Sequence, residues 1–384
     1  MRQRVLIVSP QVFPQPHSGL GMRAHFQAVH LSREFAVTVV SETGVYQVVE
    51  GSFTRLTATT VLERRSLEAY LKSIIAGTHY AYEKFNCKSW KIPDLNHYGH
   101  VILHYPALLH LLTEVPRLTS TIILDTHNNE REYFESISLQ SKNPFKRMAM
   151  RKQADIAERL IVTSSNLLAA TISVSESDRD WVVRFCRKSM PHFVVPNNLF
   201  HYAPTRWSSR KAVLYVGTLN GSMNLQALDW FRKNVWQHVR RELREVEFVV
   251  AGRNPSDRLV DDLKREGISV MPNPESLDAL YCDAMYSVIP ATSGSGGKIK
   301  VCEALARGVP VLTTSHGLVG QPEAIKSCCT MTDSPTEWIA AIEAQRRCES
   351  RSSVAWDKRV RNALKASYFG TSISQVAEFI RAKQ

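Results

Sequence analysis

The sequence predicts an α/β protein built of two doubly wound parallel-sheet domains facing a cleft. Three observations predict it. Short apolar runs bounded by turn residues recur, as in VLIVSP, AVTVVSE, HVILHYP and TIILDTHNN. Such runs suit parallel strands covered on both faces. Helix-length stretches separate them, which is the alternation of a doubly wound sheet. The alternation then restarts after HYAPTRWSSRK, with AVLYVG, VEFVVAG, YSVIPA and VPVLTT.

Taken in order, VLIVSP is the first strand, followed by a Pro/Gly loop and the helical stretch RAHFQAVHLSREF. AVTVVSE, HVILHYP and TIILDTHNN continue the first sheet. MRKQADIAERLIVTSSNLLAA reads as helical before TISVSESDRD, and FVVPNN closes this half. In the second half, AVLYVG leads into the loop TLNGSMN and the helical LQALDWFRKNVWQHVRREL. VEFVVAG leads into RNPSD, then ISVMPN, a helix near LDALYCD, YSVIPA and the glycine loop with its helix. The expected domains are residues 1–200 and 211–365, Rossmann-like in each case, joined by a linker at 201–210. A C-terminal helix, 366–384, is expected to pack back on the first domain. Ligands of open α/β sheets bind beyond the carboxyl ends of the strands, which is where the glycine loops fall.

Composition narrows the class. The chain has 384 residues, 44% of them hydrophobic, enough for two cores. No apolar run approaches the roughly 18–20 residues that cross a bilayer. The start, MRQRVLIVSPQVFPQP, meets prolines rather than a small-residue cleavage site, so it reads as a buried strand rather than a signal peptide. Seven cysteines without a CxxC pair argue for a reducing cytosol and against a disulfide scaffold or zinc site. The expected location is cytoplasmic, with peripheral contact at the inner face of the membrane. Lys and Arg number 48 against 36 Asp and Glu, a net charge of +12. That balance suits phosphorylated ligands, anionic membranes or nucleic acids, without choosing among them. KNPFKRMAMRKQ sets Lys142, Lys146, Arg147, Arg151 and Lys152 beside Phe145, Met148 and Met150. This is the composition of a helix on an anionic membrane, or simply of a solvated face.

The stretch SGSGGKIKVCEALARGVPVLTT carries the strongest chemical signal. Gly294, Gly296 and Gly297, with Ser295, allow a tight loop close to a ligand. A helix beginning near Lys298 offers unpaired N–H groups and a positive dipole to an anion. Lys300 and Glu303 share a helix face. A carboxylate beside a phosphate site suits a ribose diol, as in dinucleotide sites. An ordinary strand–loop–helix turn with a solvated Lys–Glu pair is the plainer alternative, and no GxxxxGK[ST] is present. In the first half, Ser18, Gly19 and Gly21 of HSGLGMR follow the first strand and could bring N–H groups to a diphosphate or acceptor. His127 of DTHNNE is expected at the cleft edge. Ser175 reads as a helix cap with Asp178, and Glu176 stays open between cap and cleft.

GSGGKIKVCEALARGVPVLTTSHGLVG resembles the donor-site motif of family-4 glycosyltransferases, in the branch reading GxG[TS][RK]xKxxEAxAxGxPVVxT. HSGLGMR, ISVSESDRD, VVPNN, YVGTLNGSMNLQALDWF and FVVAGRNP resemble further segments of that family in the same order, so the resemblance covers most of the chain. It implies the GT-B fold and a retaining, metal-independent hexosyl transfer from a nucleotide diphosphate sugar, UDP ahead of GDP. The implied acceptor is a lipid-linked or polysaccharide glycan. No cofactor and no nucleic acid are implied. His127 is implied to contact the donor sugar, Lys298 to stabilise the leaving diphosphate and Glu303 to hold the ribose. Lys300 would orient Glu303 or touch phosphate. Gly217, Asn224 and Arg253, in the first two loops of the second half, complete the expected donor site.

The chain departs from the family pattern at defined points. Ser295 stands where many members carry a first glutamate. TLNGSMN lacks the usual basic residue of the diphosphate clamp, so Lys298 or Arg253 would supply the charge. Asn198 replaces a glycine in VVPNN, a mild change because Asn tolerates left-handed backbone. The rivals are a nucleotide-sugar epimerase or phosphorylase of the same fold, a basic nucleic-acid-binding module, and an inactive partner subunit.

Overall fold

The computed structural model describes residues 2–11, 13–14, 19–58, 64–115, 117–187, 189–294 and 296–383. Ser18 and Ser295, both expected in the site, lie outside the described residues. The chain divides into two compact units, Met1–Pro196 with Phe369–Gln384, and Asn197–Tyr368.

The first unit holds an eight-stranded sheet, ordered β4-β3-β2-β1-β5-β6-β7-β8. Its strands are β1 Arg4–Val8, β2 Ala36–Ser41, β3 Gly44–Val49, β4 Ser52–Ala58, β5 His100–His104, β6 Thr121–Asp125, β7 Leu168–Ser173 and β8 His192–Val194. β1, β2 and β5–β8 are parallel, while β3 and β4 form an antiparallel edge. The sequence reading did not foresee that edge. β4 is exposed along most of its length, so it shows no apolar run. β1, β5 and β6 are buried almost throughout, which is why they read so plainly. The run from Met150 to Ala170 also divides differently. Its helix, Pro144–Ser164, ends before β7 begins at Leu168. Two apolar runs with different periods had merged there into one.

The helix Gly19–Leu31 follows β1 and buries Ala24, Ala28 and Leu31 together with Arg23 and Gln27. Positions three and four apart share a helix face, so Arg23 and Gln27 are carried inward beside the apolar row of Ala24, Ala28 and Leu31. The helix Phe369–Ala382 buries Phe369, Ile373, Val376 and Ile380. It packs on the helix Gly19–Leu31 and on β8, with Phe379 and Phe193 ring centres 5.7 Å apart.

The second unit holds a six-stranded parallel sheet, ordered β11-β10-β9-β12-β13-β14. Its strands are β9 Ala212–Thr218, β10 Glu247–Arg253, β11 Ser269–Pro272, β12 Ala284–Ile289, β13 Val311–Thr313 and β14 Thr330–Met331. The order reverses between β9 and β12, the point where doubly wound sheets open a binding crevice. Residues 203–208 lie along this unit, through Ala203 N–H to Ala306 O at 2.8 Å and Ser208 N–H to Cys282 O at 3.0 Å. Buried Arg351 ties that segment down, donating to the carbonyls of Tyr281 at 2.7 Å, Thr205 at 2.8 Å and Arg307 at 3.1 Å.

Candidate functional site

In the second unit, the loops after β9, β10 and β12 meet at the carboxyl edge. β9 and β10 run so close at Gly217 and Gly252 that a Cβ on Gly252 would stand 1.7 Å from the Gly217 carbonyl oxygen. Only glycine permits that approach. Arg253 ends β10, and its carbonyl accepts from Leu219 N–H at 2.7 Å, closing the two loops together. Asn224 stands at the start of the next helix, Ser222–Phe231. Its Nδ2 donates to Thr218 O at 3.1 Å, and its Oδ1 accepts from Lys300 Nζ at 3.1 Å. Lys300 Nζ also lies 5.3 Å from the centre of the Tyr215 ring.

The loop after β12 is folded by its own lysine. Gly294 and Gly296 take left-handed φ values of 98° and 73°. Lys298 Nζ donates to both of their carbonyls, at 3.1 and 3.0 Å. His316 Nε2 lies 2.6 Å from the same Gly294 oxygen. Gly320 presses on the loop so tightly that a Cβ there would be 2.7 Å from Gly297 N. The helix Ile299–Ala306 begins directly after Lys298. Lys298 therefore braces the loop, and its charge is held at that helix start.

Charges in this edge are partly desolvated. Burial, helped by neighbouring Lys298, pushes the Lys300 ammonium down to about 8. Burial likewise raises the Glu303 carboxyl, against the pull of Arg307 and then Lys300. The nearest paired cation of Glu303 is Arg307, NH1 to Oε1 at 3.6 Å. Lys300, expected to orient Glu303 or touch phosphate, and Glu303 thus take separate partners. Lys300 is held by Asn224, one turn away from a Glu303 held by Arg307. One edge then presents an ammonium, a carboxylate and a helix start, the groups that bind an anion and a diol together.

The first unit gathers a second constellation at the ends of β5 and β6. Arg23 Nε bonds Asp125 at 3.0 and 3.2 Å, and Arg23 NH1 donates to Val195 O at 2.7 Å. Gln27 Nε2 donates to Asp125 Oδ2 at 3.4 Å, and Gln27 Oε1 lies 2.5 Å from His104 Nε2. His104 Nδ1 lies 2.7 Å from His127 Nε2. Tyr105 stacks on His127 with ring centres 5.0 Å apart. His127, expected at an open edge, is only 3% exposed. Burial would raise the Asp125 carboxyl, but Arg23, His127 and His104 outweigh it and hold it at about 2. Burial pushes His104 down to about 4 and His127 well below its usual value. Both rings are therefore neutral near pH 7.

His104, Asp125 and His127 are also the group among the described residues whose ligand atoms lie within 4.8 Å of one another. Asp125 is already paired with Arg23, and the two rings bond each other through His104 Nδ1 and His127 Nε2, so of the ring nitrogens His127 Nδ1 alone is uncommitted among the described residues.

Of the remaining expectations, Gly19 and Gly21 open the helix after β1. Ser175 caps its helix, accepting from Asp178 N–H at 3.2 Å. Glu176 is exposed and paired with Arg179, a surface pair rather than a site residue. Sequence reasoning missed Arg23, Gln27 and His104. The available signal was Arg23 and Gln27, two polar residues four apart on the apolar face of RAHFQAVHL.

Residues 210–345 match the family model described as glycosyl transferases group 1. An uncharacterised 44.6 kDa protein in the cps region of Klebsiella pneumoniae is 29% identical over 117 residues. That match spans 28% of this chain and 30% of the relative's length. Among solved structures, the chain is similar to WaaG, a glycosyltransferase involved in lipopolysaccharide biosynthesis. The TM-score is 0.65 at 14% identity, over 98% of this chain and 99% of that one. It is also similar to Anabaena HepE in complex with UDP-glucose, with a TM-score of 0.61 at 11% identity, over 99% of each chain. At these identities the likeness fixes the fold, which is GT-B. The group 1 glycosyltransferase match falls on the unit that carries the glycine loop, Lys300 and Glu303.

Proposed function

We propose that the protein is a retaining, metal-independent glycosyltransferase that moves a hexosyl group from a UDP-sugar to a glycan or lipid-linked acceptor. The observation that carries this reading is the edge formed by Asn224, Lys298, Lys300 and Glu303, inside the segment matching group 1 glycosyltransferases. Glu303 accepts hydrogen bonds from the ribose diol. Lys300, Lys298 and the start of the helix Ile299–Ala306 offset the charge that develops on the diphosphate. The glycosidic bond to the diphosphate oxygen breaks, and the acceptor oxygen bonds the anomeric carbon on the same face. The acceptor proton leaves with the diphosphate. Gly217, Gly294, Gly296 and Gly297 bring backbone close to the nucleotide. Arg253 belongs to the same donor edge, and Gly19 and Gly21 to the acceptor side. His127 is the first unit's sugar-contacting residue. UDP is the favoured nucleotide because HepE, a similar fold, is known with UDP and UDP-glucose.

A peripheral membrane setting in the cytoplasm fits the same reading. No helix among the described residues is long and apolar enough to cross a membrane. The helix Ser66–Ala76 instead exposes Leu67, Leu71 and Ile75, and the helix Pro144–Ser164 exposes Phe145 and Met148. Lys72, Lys146, Arg147, Arg151 and Lys152 surround them, all exposed, and Lys152 Nζ joins the two helices through Ile74 O at 3.4 Å. Exposed apolar groups ringed by cations suit an anionic bilayer surface.

A thermal-shift panel of nucleotide sugars tests the activity class. A ligand of the native state at about 100 times its Kd adds about 2.7 kcal/mol of stability. One UDP-sugar is expected to raise the midpoint. DNA affinity that falls steeply with salt, with no response to any nucleotide sugar, would contradict the proposal.

A further inference from the structure

We infer that Gln27 and His104 are positioning residues that lock His127 in one tautomer, leaving its buried Nδ1 as a bare acceptor for a carbohydrate hydroxyl. The inference rests on the glycosyl-transfer reading for its ligand, but not for its tautomer.

The argument starts at Asp125 and runs outward. A carboxylate flanked by the Arg23 guanidinium is ionised, so it only accepts hydrogen bonds. Gln27 must therefore turn its NH2 to Asp125, at 3.4 Å. The reverse orientation would set the amide oxygen against the carboxylate. The Gln27 oxygen then faces His104 Nε2 at 2.5 Å, so that nitrogen carries the proton. A neutral imidazole has one N–H, which leaves His104 Nδ1 unprotonated. The 2.7 Å contact to His127 Nε2 consequently draws its proton from His127. His127 Nδ1 is left with a lone pair.

That nitrogen is buried and, among the described residues, without a hydrogen-bond partner. Leaving a buried polar atom unpaired is unfavourable, which makes this nitrogen a candidate for a ligand contact. The surrounding backbone is also unusual. Tyr105 and His127, the stacked pair, both take left-handed φ, at 90° and 59°. Non-glycine residues hold such geometry at a cost, chiefly at functional sites. A bare lone pair accepts from an O–H or N–H group and repels phosphate or carboxylate oxygen. This excludes the diphosphate oxygens and, on the glycosyl-transfer reading, leaves a sugar hydroxyl as the donor.

The test is the two-bond proton–nitrogen correlation of the histidine side chains in the 15N-labelled full chain near pH 7. His127 and His104 should each show a protonated Nε2 and a pyridine-type Nδ1. Gln27→Met removes the acceptor for His104 and should scramble both tautomers. Gln27→Glu should restore them, because a carboxyl beside Asp125 is driven to its protonated form and then donates and accepts as the amide did. Thermal midpoints identify any variant that fails to fold, and the wild-type spectrum alone still decides the tautomer. Saturation with a UDP-sugar that the sample turns over should move the His127 Nδ1 signal while leaving it unprotonated. A proton on His127 Nδ1 in the free protein overturns the inference even in an active transferase. An Nδ1 unmoved by the turned-over sugar overturns the acceptor role. Correct tautomers in a protein that turns over no nucleotide sugar would instead count against the proposed activity.

Discussion

Arg23 and Asp125 form an ion pair with no side-chain exposure on either partner, Nε to Oδ2 at 3.0 Å. It joins the helix after β1 to the end of β6. Removing one member of such a pair leaves a buried charge uncompensated, at a cost of about 3–5 kcal/mol. Arg23→Met should therefore lower folding stability by that order in a denaturant titration. The double variant Arg23→Met/Asp125→Leu should recover part of the loss. If Arg23→Met is as stable as wild type, the pair is not the anchor described.

The neighbouring histidines predict a pH dependence. Their folded values lie below the unfolded value near 6.5, so the stabilisation is complete above 6.5 and is lost as pH falls. For His104, at about 4 when folded, the full displacement corresponds to about 3 kcal/mol. Asp125, held at about 2, acts later. Its contribution is present above the ordinary carboxylate range and disappears only as pH falls toward 2. The thermal midpoint should start to drop below pH 6.5. His104→Asn should flatten that slope without abolishing it, because His110, also about 4 through burial, still contributes.

The β9–β10 contact makes a prediction for one methyl group. Gly252→Ala would place carbon 1.7 Å from the Gly217 carbonyl, so the strands must part where the donor loops begin. Overpacking of this kind costs typically about 1–3 kcal/mol. Reduced stability and reduced nucleotide-sugar affinity should appear together, by thermal melt and by titration. Unchanged values for both would show that the strand ends are free to adjust.

Lys300 supplies a prediction for binding. Its ammonium, near 8 in the free protein, is charged below that pH and neutral above it. Diphosphate affinity should therefore decline as pH rises past about 8, when followed by titration with UDP. Lys300→Met should bind more weakly at pH 7 and lose that pH dependence. A pH profile identical in Lys300→Met and wild type would place the titrating group elsewhere.

Much of the fold was legible because parallel strands buried on both faces leave uninterrupted apolar runs. That is why β1, β5, β6, β9, β10 and β12 read correctly. The antiparallel β3–β4 edge was not legible, since β4 faces solvent and has no run to show. In the donor edge, Gly294, Gly296, Lys300 and Glu303 stood out because glycine spacing and helix periodicity are local signals. Which partners they choose was not local. Asn224 reaches Lys300 across 76 positions of chain, and Arg23 reaches Asp125 across 102. A polar residue on a helix or at a strand end reads as solvated until the fold closes over it, so Arg23 and Gln27 on the helix and His104 at the end of β5 passed unnoticed.

The most direct test of the central claim is calorimetric titration of UDP-sugars into the wild type and into Glu303→Gln. The wild type should bind one UDP-sugar at a single site. Hydrogen bonds to a charged group contribute about 1.5–3 kcal/mol, so Glu303→Gln should bind roughly 10- to 150-fold more weakly. Equal affinity in the two proteins, or no binding of any nucleotide sugar by the wild type, would contradict the account.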